Sequence, residues 1–389
     1  MKVSAVLHLA LLVGACSSRD AQAQVPLWRV APEVRAGMGE GPGALSAVSD
    51  VTIGRDGSVY VSQPQEKVVK VYDARGRYLR TIGREGSGPG EFDRPSSLGW
   101  RGDTLWVTDT PQTRISLFLP NGRFVRSISF SRAAPLTDGR PHIPGSLLAD
   151  GSVLGLWQTP LSLIAGTPPV SVPMVRFTAR GEPIALLARD EHRNEFGVIA
   201  EGTSRTYFPQ AFTDTPLTAV SPDGSAVVIV RRNTATRPDS TVFSVERIHH
   251  SGRVTLARNY QYRPQPLTRE MVERALDEHV GALGETRIRT PEASVLRRQI
   301  RQSLYRPRFL PPVTRLVLGR DGTIWLRRED LGRDMAWWHV LDGRGRIIAR
   351  AWVPAGVRVA YADRTQIWAV ELDELDVPTL VKYRIAPAG

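Results

Sequence analysis

Apolar and polar positions alternate along most of this chain in short bursts, and the bursts are separated by Gly- and Asp-containing turns. The pattern is clearest twice in succession. Residues 39–83 and 86–128 each open with Gly-x-Gly-Pro-Gly, from Gly39 and from Gly86. A short apolar segment follows, then an Asp-Gly or Gly-Asp turn, an alternating strand (58–62; 104–108), a polar loop, a second alternating strand, a Gly-Arg turn and a last strand. Period-two alternation marks strands, and Gly, Asn and Asp at the joints mark hairpins. Four strands therefore recur with a period of roughly 46 residues, the signature of a repeat architecture.

Later repeats are more diverged. Turns of the first-hairpin kind fall at Asp56-Gly57, Gly102-Asp103, Asp150-Gly151, Asp223-Gly224, Asp321-Gly322 and Asp363-Arg364. Turns of the last-hairpin kind contain Gly76, Gly122, Gly181, Gly252 and Gly345, one fewer. The segment before Gly39 (28–36) resembles the outer strand that precedes Gly86, yet it has no inner strands of its own. It is expected to complete the C-terminal sheet (357–361, 365–371, 379–385), which closes a ring and leaves few exposed edges. The predicted fold is all-β: a six-bladed β-propeller of four-stranded antiparallel blades spanning residues 27–389.

One signature is more specific. Leu105-Trp106-Val107-Thr108-Asp109-Thr110 is followed by Arg114-Ile115-Ser116-Leu117-Phe118 and by Gly122 in the next turn, with Phe92 and Pro95 in the lead-in segment. This region resembles NHL-type β-propellers. Gln63 and Val68 replace the Asp and Arg of the motif in the first repeat. The resemblance is strong over about a quarter of the chain, with a weaker echo at 313–352. It also matches the organisation of exported bacterial six-bladed propellers, and some NHL-type propellers are lyases with a metal in the channel.

Residues 267–305 break the strand pattern and read as two helices inserted between the fourth and fifth units. The first is predicted over 269–280, with Thr268 as N-cap and Val272, Leu276 and Val280 on one face. The second has Thr290 as N-cap and Pro291 in the first helical position, with an apolar stripe of Val295, Leu296, Ile300 and Leu304. In an up-and-down sheet, inter-unit loops and the loops between strands two and three share one face. The helices belong there, as a lid or docking surface, on the face where propellers commonly bind. The same face is expected to collect the candidate binding residues Asp50, Arg84, Glu91, Asp109, Arg114 and Arg315. Asp50 and Arg315 occupy matching positions at the starts of inner strands, at the channel mouth. Asp109 and Arg114 equally suit ties between neighbouring sheets.

His142, His192 and His279 are expected on that face and are the alternative metal set, although they lack motif spacing. G-x-S-x-G, H-E-x-x-H and phosphate-binding loops are absent, so no catalytic residues are assigned. The Gly-x-Gly-Pro-Gly element is turn chemistry, since it repeats as a connector. The function expected is a non-enzymatic binding module for an envelope protein, a peptide or a glycan, without a cofactor. A propeller enzyme with its site at the channel, either a metal-dependent lyase or a lactone hydrolase, is the alternative.

The first residues supply an address. Met1-Lys2 precede an apolar run, 3–15, too short to span a bilayer. It ends in Leu12-Val13-Gly14-Ala15-Cys16, which resembles the bacterial lipobox. That resemblance implies a signal peptide over 1–15, a lipid on Cys16 and a tether over 16–26. Cleavage after Ala21-Gln22-Ala23, giving a secreted soluble protein, is the alternative. Cys16 is the single cysteine, so an intramolecular disulfide is excluded. The net charge of +12 comes almost wholly from arginine, the lysines being Lys2, Lys67, Lys70 and Lys382. Acidic residues are interleaved with the arginines, a pattern unlike the clustered basic stripe of nucleic-acid binders. A monomer in the cell envelope, on the periplasmic or outer-membrane side, is expected.

Overall fold

The computed structural model describes residues 25–157, 170–192, 194–232, 241–286, 292–328 and 334–387. The fold is all-β and propeller-like. Four separate four-stranded antiparallel sheets follow one another along the chain: Val51–Ile53 to Tyr78–Ile82, Pro95–Arg101 to Phe124–Ser129, His142–Leu147 to Pro183–His192, and Leu217–Val220 to Val254–Gln261. We refer to these as the first to fourth sheets. An eight-stranded sheet follows. Its strand order is Arg315–Leu318, Ile324–Arg328, Met335–Leu341, Ile347–Pro354, Leu27–Ala36, Pro378–Pro387, Gln366–Leu372 and Arg358–Ala362. The N-terminal strand sits at its middle. It runs antiparallel to Pro378–Pro387, from Trp28↔Pro387 to Ala36↔Leu380, and parallel to Ile347–Pro354 at Leu27↔Arg350.

The turns follow one local rule. In the first hairpin of most units an Asp side chain accepts the backbone N–H two residues on: Asp56 from Ser58 at 3.0 Å, Asp150 from Ser152 at 3.0 Å, Asp223 from Ser225 at 3.0 Å, Asp321 from Thr323 at 3.1 Å and Asp363 from Thr365 at 2.8 Å. This Asx geometry fixes the turn from the Asp itself. It explains why Asp363-Arg364 turns as the others do without a glycine.

The apolar residues do not gather into one central core. They form clusters between successive sheets. Tyr60, Val69 and Ile82 of the first sheet pack on Phe92, Leu98, Leu105 and Phe118 at the second. Further clusters join second to third, third to fourth, and fourth to the eight-stranded sheet. Within the eight-stranded sheet the two ends face each other through Trp325, Trp338, Val359, Ile367 and Val381. Finally, Tyr361, Trp368 and Leu380 pack on Val51, Val59 and Tyr72 of the first sheet, so the packing runs round a ring.

A satellite core stands apart from this ring. The hairpin Phe196–Glu201/Ser204–Pro209 lies between the third and fourth sheets in sequence. Helices α1 (Arg269–Thr286) and α2 (Ala293–Ser303) lie between the fourth sheet and Arg315. Ile199, Phe208 and Phe212 meet Met271, Leu276, Leu296, Ile300 and Leu304 in one apolar cluster. Helix α1 runs six residues past the end predicted from its apolar face. Helix α2 has Glu292 at its N-cap with no side-chain capping bond. The predicted cap Thr290 and Pro291 lie outside the described residues. Glu273 joins the helices through Arg297 (2.7 Å) and Arg301 (2.6 Å), and these two guanidiniums hold its carboxyl down to about 2.

Candidate functional site

The central channel has a volume of about 540 Å³. Its wall is built from the first strand of each sheet and from both ends of the eight-stranded sheet: 49–52, 97–99, 218–222, 315–318 and 358–361, with Ser146, Leu154 and Leu156 from the third sheet. At the far end the Trp100 N–H donates to the Pro222 carbonyl at 3.2 Å, a bridge between the second and fourth sheets. At the near end, where these strands begin, three charged residues stand on consecutive portions of the wall: Arg315, Arg358 and Asp50.

Their partners differ. Asp50 Oδ1 accepts the Val51 N–H at 2.9 Å and Oδ2 accepts the Leu98 N–H at 3.1 Å, so its carboxylate ties the first sheet to the second. Burial raises its pKa against the pull of these two bonds and of Arg358 and Arg315. Arg358 donates to the Ser49 carbonyl at 3.2 Å and to the Val48 carbonyl at 2.5 Å, fixing its plane against the loop before Asp50. The Arg315 side chain makes no hydrogen bond or ion pair with any described residue, its backbone alone being paired, with Arg327. Burial lowers its pKa to about 10, with the like charges of Arg358 and Arg327 acting in the same direction and Asp50 against. Burial also lowers that of Arg358. The mouth therefore holds an excess of positive charge in a partly desolvated place, which is costly unless an anion offsets it.

Of the residues expected at the site from sequence, the structure brings Asp50 and Arg315 together here. Arg358 is the one that sequence reading missed, though it opens the inner strand of its unit just as Arg315 does. Arg84, Glu91, Asp109 and Arg114 stand elsewhere, at the connector between the first and second sheets. Asp109 is fully buried, and its oxygens accept the Asp93 N–H at 2.8 Å and the Arg94 N–H at 3.2 Å. Gln63, its counterpart in the first sheet, does the same for Ser46 and Ala47 at 3.0 and 3.4 Å. Arg114 donates to the carbonyls of Ser87, Gly88 and Glu91. Glu91 accepts the Gly88 N–H at 2.8 Å and pairs with Arg84 at 2.7 Å. Gly86 has a φ of +145°, a backbone conformation that residues with a side chain rarely adopt, which is why the connector needs glycine there.

The histidines do not converge. His142 is fully buried, its two ring nitrogens each 3.2 Å from a backbone carbonyl, of Arg140 and Pro173. His192 contacts Glu195, and His279 lies against the Phe208 ring in the satellite core. Among the described residues no group of three His, Cys, Asp or Glu side chains is placed to hold a metal ion. The alternative set His142, His192 and His279 is thus dispersed over three separate environments.

The satellite core sits at the mouth end. A groove of about 210 Å³ runs between α1 (Met271, Arg274, Ala275) and the segments that lead into the inner strands (Phe212, Leu310, Thr314). Thr314 is the residue before Arg315. No helix among the described residues is long and apolar enough to cross a membrane.

No protein-family model matches the chain, and no curated protein matches its sequence. Among solved structures, a member of the DUF4221 family from Bacteroides vulgatus is similar over 94% of this chain and 100% of its own, with a TM-score of 0.51 and 11% identity. Virginiamycin B lyase from Staphylococcus aureus is similar over 92% and 100%, with a TM-score of 0.43 and 12% identity. The calcium-binding protein regucalcin from Agrobacterium tumefaciens is similar over 92% and 96%, with a TM-score of 0.36 and 12% identity. The first is a likeness of fold, and the other two are looser; none carries an activity over to this chain.

Proposed function

We propose that this chain is an exported, lipid-anchored, six-bladed propeller that serves as a non-enzymatic binding module, taking its ligand at the mouth of the central channel. The eight-stranded sheet supports six blades. It divides into one blade of 315–354 and another of 358–387 completed by Leu27–Ala36, the pairing expected of a ring closed from both termini. The Asp109/Arg114 motif supports kinship with NHL-type repeats, and the 1–16 leader supports export and a lipid on Cys16. The observation that carries the binding role is the channel mouth, where Arg315 and Arg358 face a cavity of ligand size with one carboxylate, Asp50, on the far side of Arg358.

The test is native mass spectrometry of protein purified from the envelope fraction of cells making the full chain, beside a Thr218→Trp variant. Thr218 is exposed on the channel wall near the start of its strand, so the indole narrows the channel near its mouth without entering a core. A small ligand present in the first and missing from the second is expected. An empty wild-type channel, equal occupancy of both, or turnover of the ligand on incubation contradicts the reading. Cys16→Ser is expected to move the protein from the membrane to the soluble fraction; retention in the membrane would remove the lipid anchor.

A further inference from the structure

The channel wall carries a second feature besides its charge. Leu156 lines it with 47% of its surface exposed, and Leu316 is half-buried beside Arg315. A large aliphatic side chain left wet inside a concave wall is a place where an apolar group gains by replacing water. Leu98, Val317 and Val359 continue the apolar wall. The polar groups among them are uncharged: Ser97, Ser146, Thr218 and Ser221. Charge and apolar surface are thus segregated, with cations at the mouth on the eight-stranded sheet and aliphatic surface along and across the wall.

The three charged residues also divide the work. The Arg358 guanidinium is committed to the carbonyls of Val48 and Ser49, and both Asp50 oxygens accept backbone N–H groups. These two are held in place by the fold. Arg315 has no such tie, and its planar fork of donors is suited to a two-oxygen partner. We infer that the channel binds a small amphipathic organic oxyanion, whose head is received by Arg315 beside the fixed Arg358 and whose apolar body lies against Leu156 and Leu316. This deepens the binding-module reading and rests on it. The Asp50 carboxylate limits the head to one that both arginines can reach, and it repels a second anionic group carried close behind the first.

Isothermal titration of the purified full-length protein with octanoate, octanesulfonate, octanol and inorganic phosphate tests this. Both amphipathic anions are expected to bind saturably, and octanol and phosphate are expected to bind at least about tenfold more weakly, since each lacks one half of the recognition. Arg315→Gln is expected to weaken both anions about tenfold, the scale of a charge-assisted hydrogen-bonded contact. Leu156→Asp changes an exposed position and so leaves the core intact; it is expected to weaken them by a similar factor. Octanol binding as tightly as octanoate, anion binding unchanged in both variants, or no binding of either anion would overturn the inference. The underlying reading fails separately. Octanol binding that Thr218→Trp abolishes keeps the channel as the binding place and removes only the anionic head. Anion binding that survives Thr218→Trp removes the channel altogether.

Discussion

Two regions of this molecule are rich in charge and lie at the same end of the ring, yet they are built in opposite ways. At the connector between the first and second sheets, Asp109 and Arg114 spend their hydrogen bonds on backbone groups of the 87–94 loop, and Glu91 divides its own between the Gly88 N–H and the Arg84 side chain. At the channel mouth, Arg358 and Asp50 are fixed to the backbone in the same manner, but Arg315 is not, and the three do not neutralise one another. The lesson is that charge near a propeller's loop face does not by itself mark a binding site. The proposed site differs in holding a charge that the fold has desolvated without supplying its partner.

The largest expected effect separates these two uses. Asp109→Ala leaves two N–H groups without acceptors at a fully buried site, and a loss of about 3 kcal/mol in chemical denaturation is expected. Asp109→Gln should recover most of that loss, because Gln63 performs the same task in the first sheet without a charge. If the Gln variant were as unstable as the Ala variant, the acceptor role assigned to this position would fall. Next, Arg114→Ala releases the carbonyls of the connector, and about 1–2 kcal/mol should be lost on the same measurement, with ligand binding untouched.

Arg315 should behave in the contrary sense. Replacing it with Leu removes a partly desolvated cation that has no partner, so the protein should be as stable as wild type or more stable by about 1 kcal/mol. A large destabilisation would mean that Arg315 belongs to the structural class after all. The smallest effect concerns pH. Asp50 has its pKa raised in the folded protein, by burial above all. As pH falls through that raised value, Asp50 becomes neutral and stops repelling an anion held by Arg315. Octanesulfonate stays ionised throughout, so its affinity should rise by roughly threefold on acidification, in keeping with one charge screened in part by solvent. Affinity that falls instead would place the anion away from Asp50.

Much of this was legible in the chain because the repeat is written in local chemistry. An Asp two residues before a Ser or Thr makes the same Asx turn wherever it occurs, and that is a property of four or five residues. Asp50 and Arg315 could be placed at the channel because each precedes or opens an inner strand. Arg358 opens its inner strand in that register too, but the strand read from sequence starts one residue earlier, at Val357, so Arg358 does not fall on its first position. The Phe196–Pro209 hairpin was invisible for a different reason. Its strands look like any others, and only its packing on Leu296 and Ile300, about a hundred residues away, shows that it serves the helices rather than a sheet of the ring. Whether a charged residue is spent on backbone or left unpaired is likewise a tertiary fact. Arg114 and Arg315 each begin a strand, and spacing alone does not tell them apart.

The contrast between these two arginines is therefore where the account is most directly tested. Octanesulfonate is titrated into wild type, Arg114→Ala and Arg315→Gln, each at a pH and temperature where circular dichroism shows it folded. Binding weakened about tenfold by Arg315→Gln and unchanged by Arg114→Ala is the predicted result. Equal affinity for wild type and Arg315→Gln, with the loss falling on Arg114→Ala, would put the ligand at the connector and contradict the account.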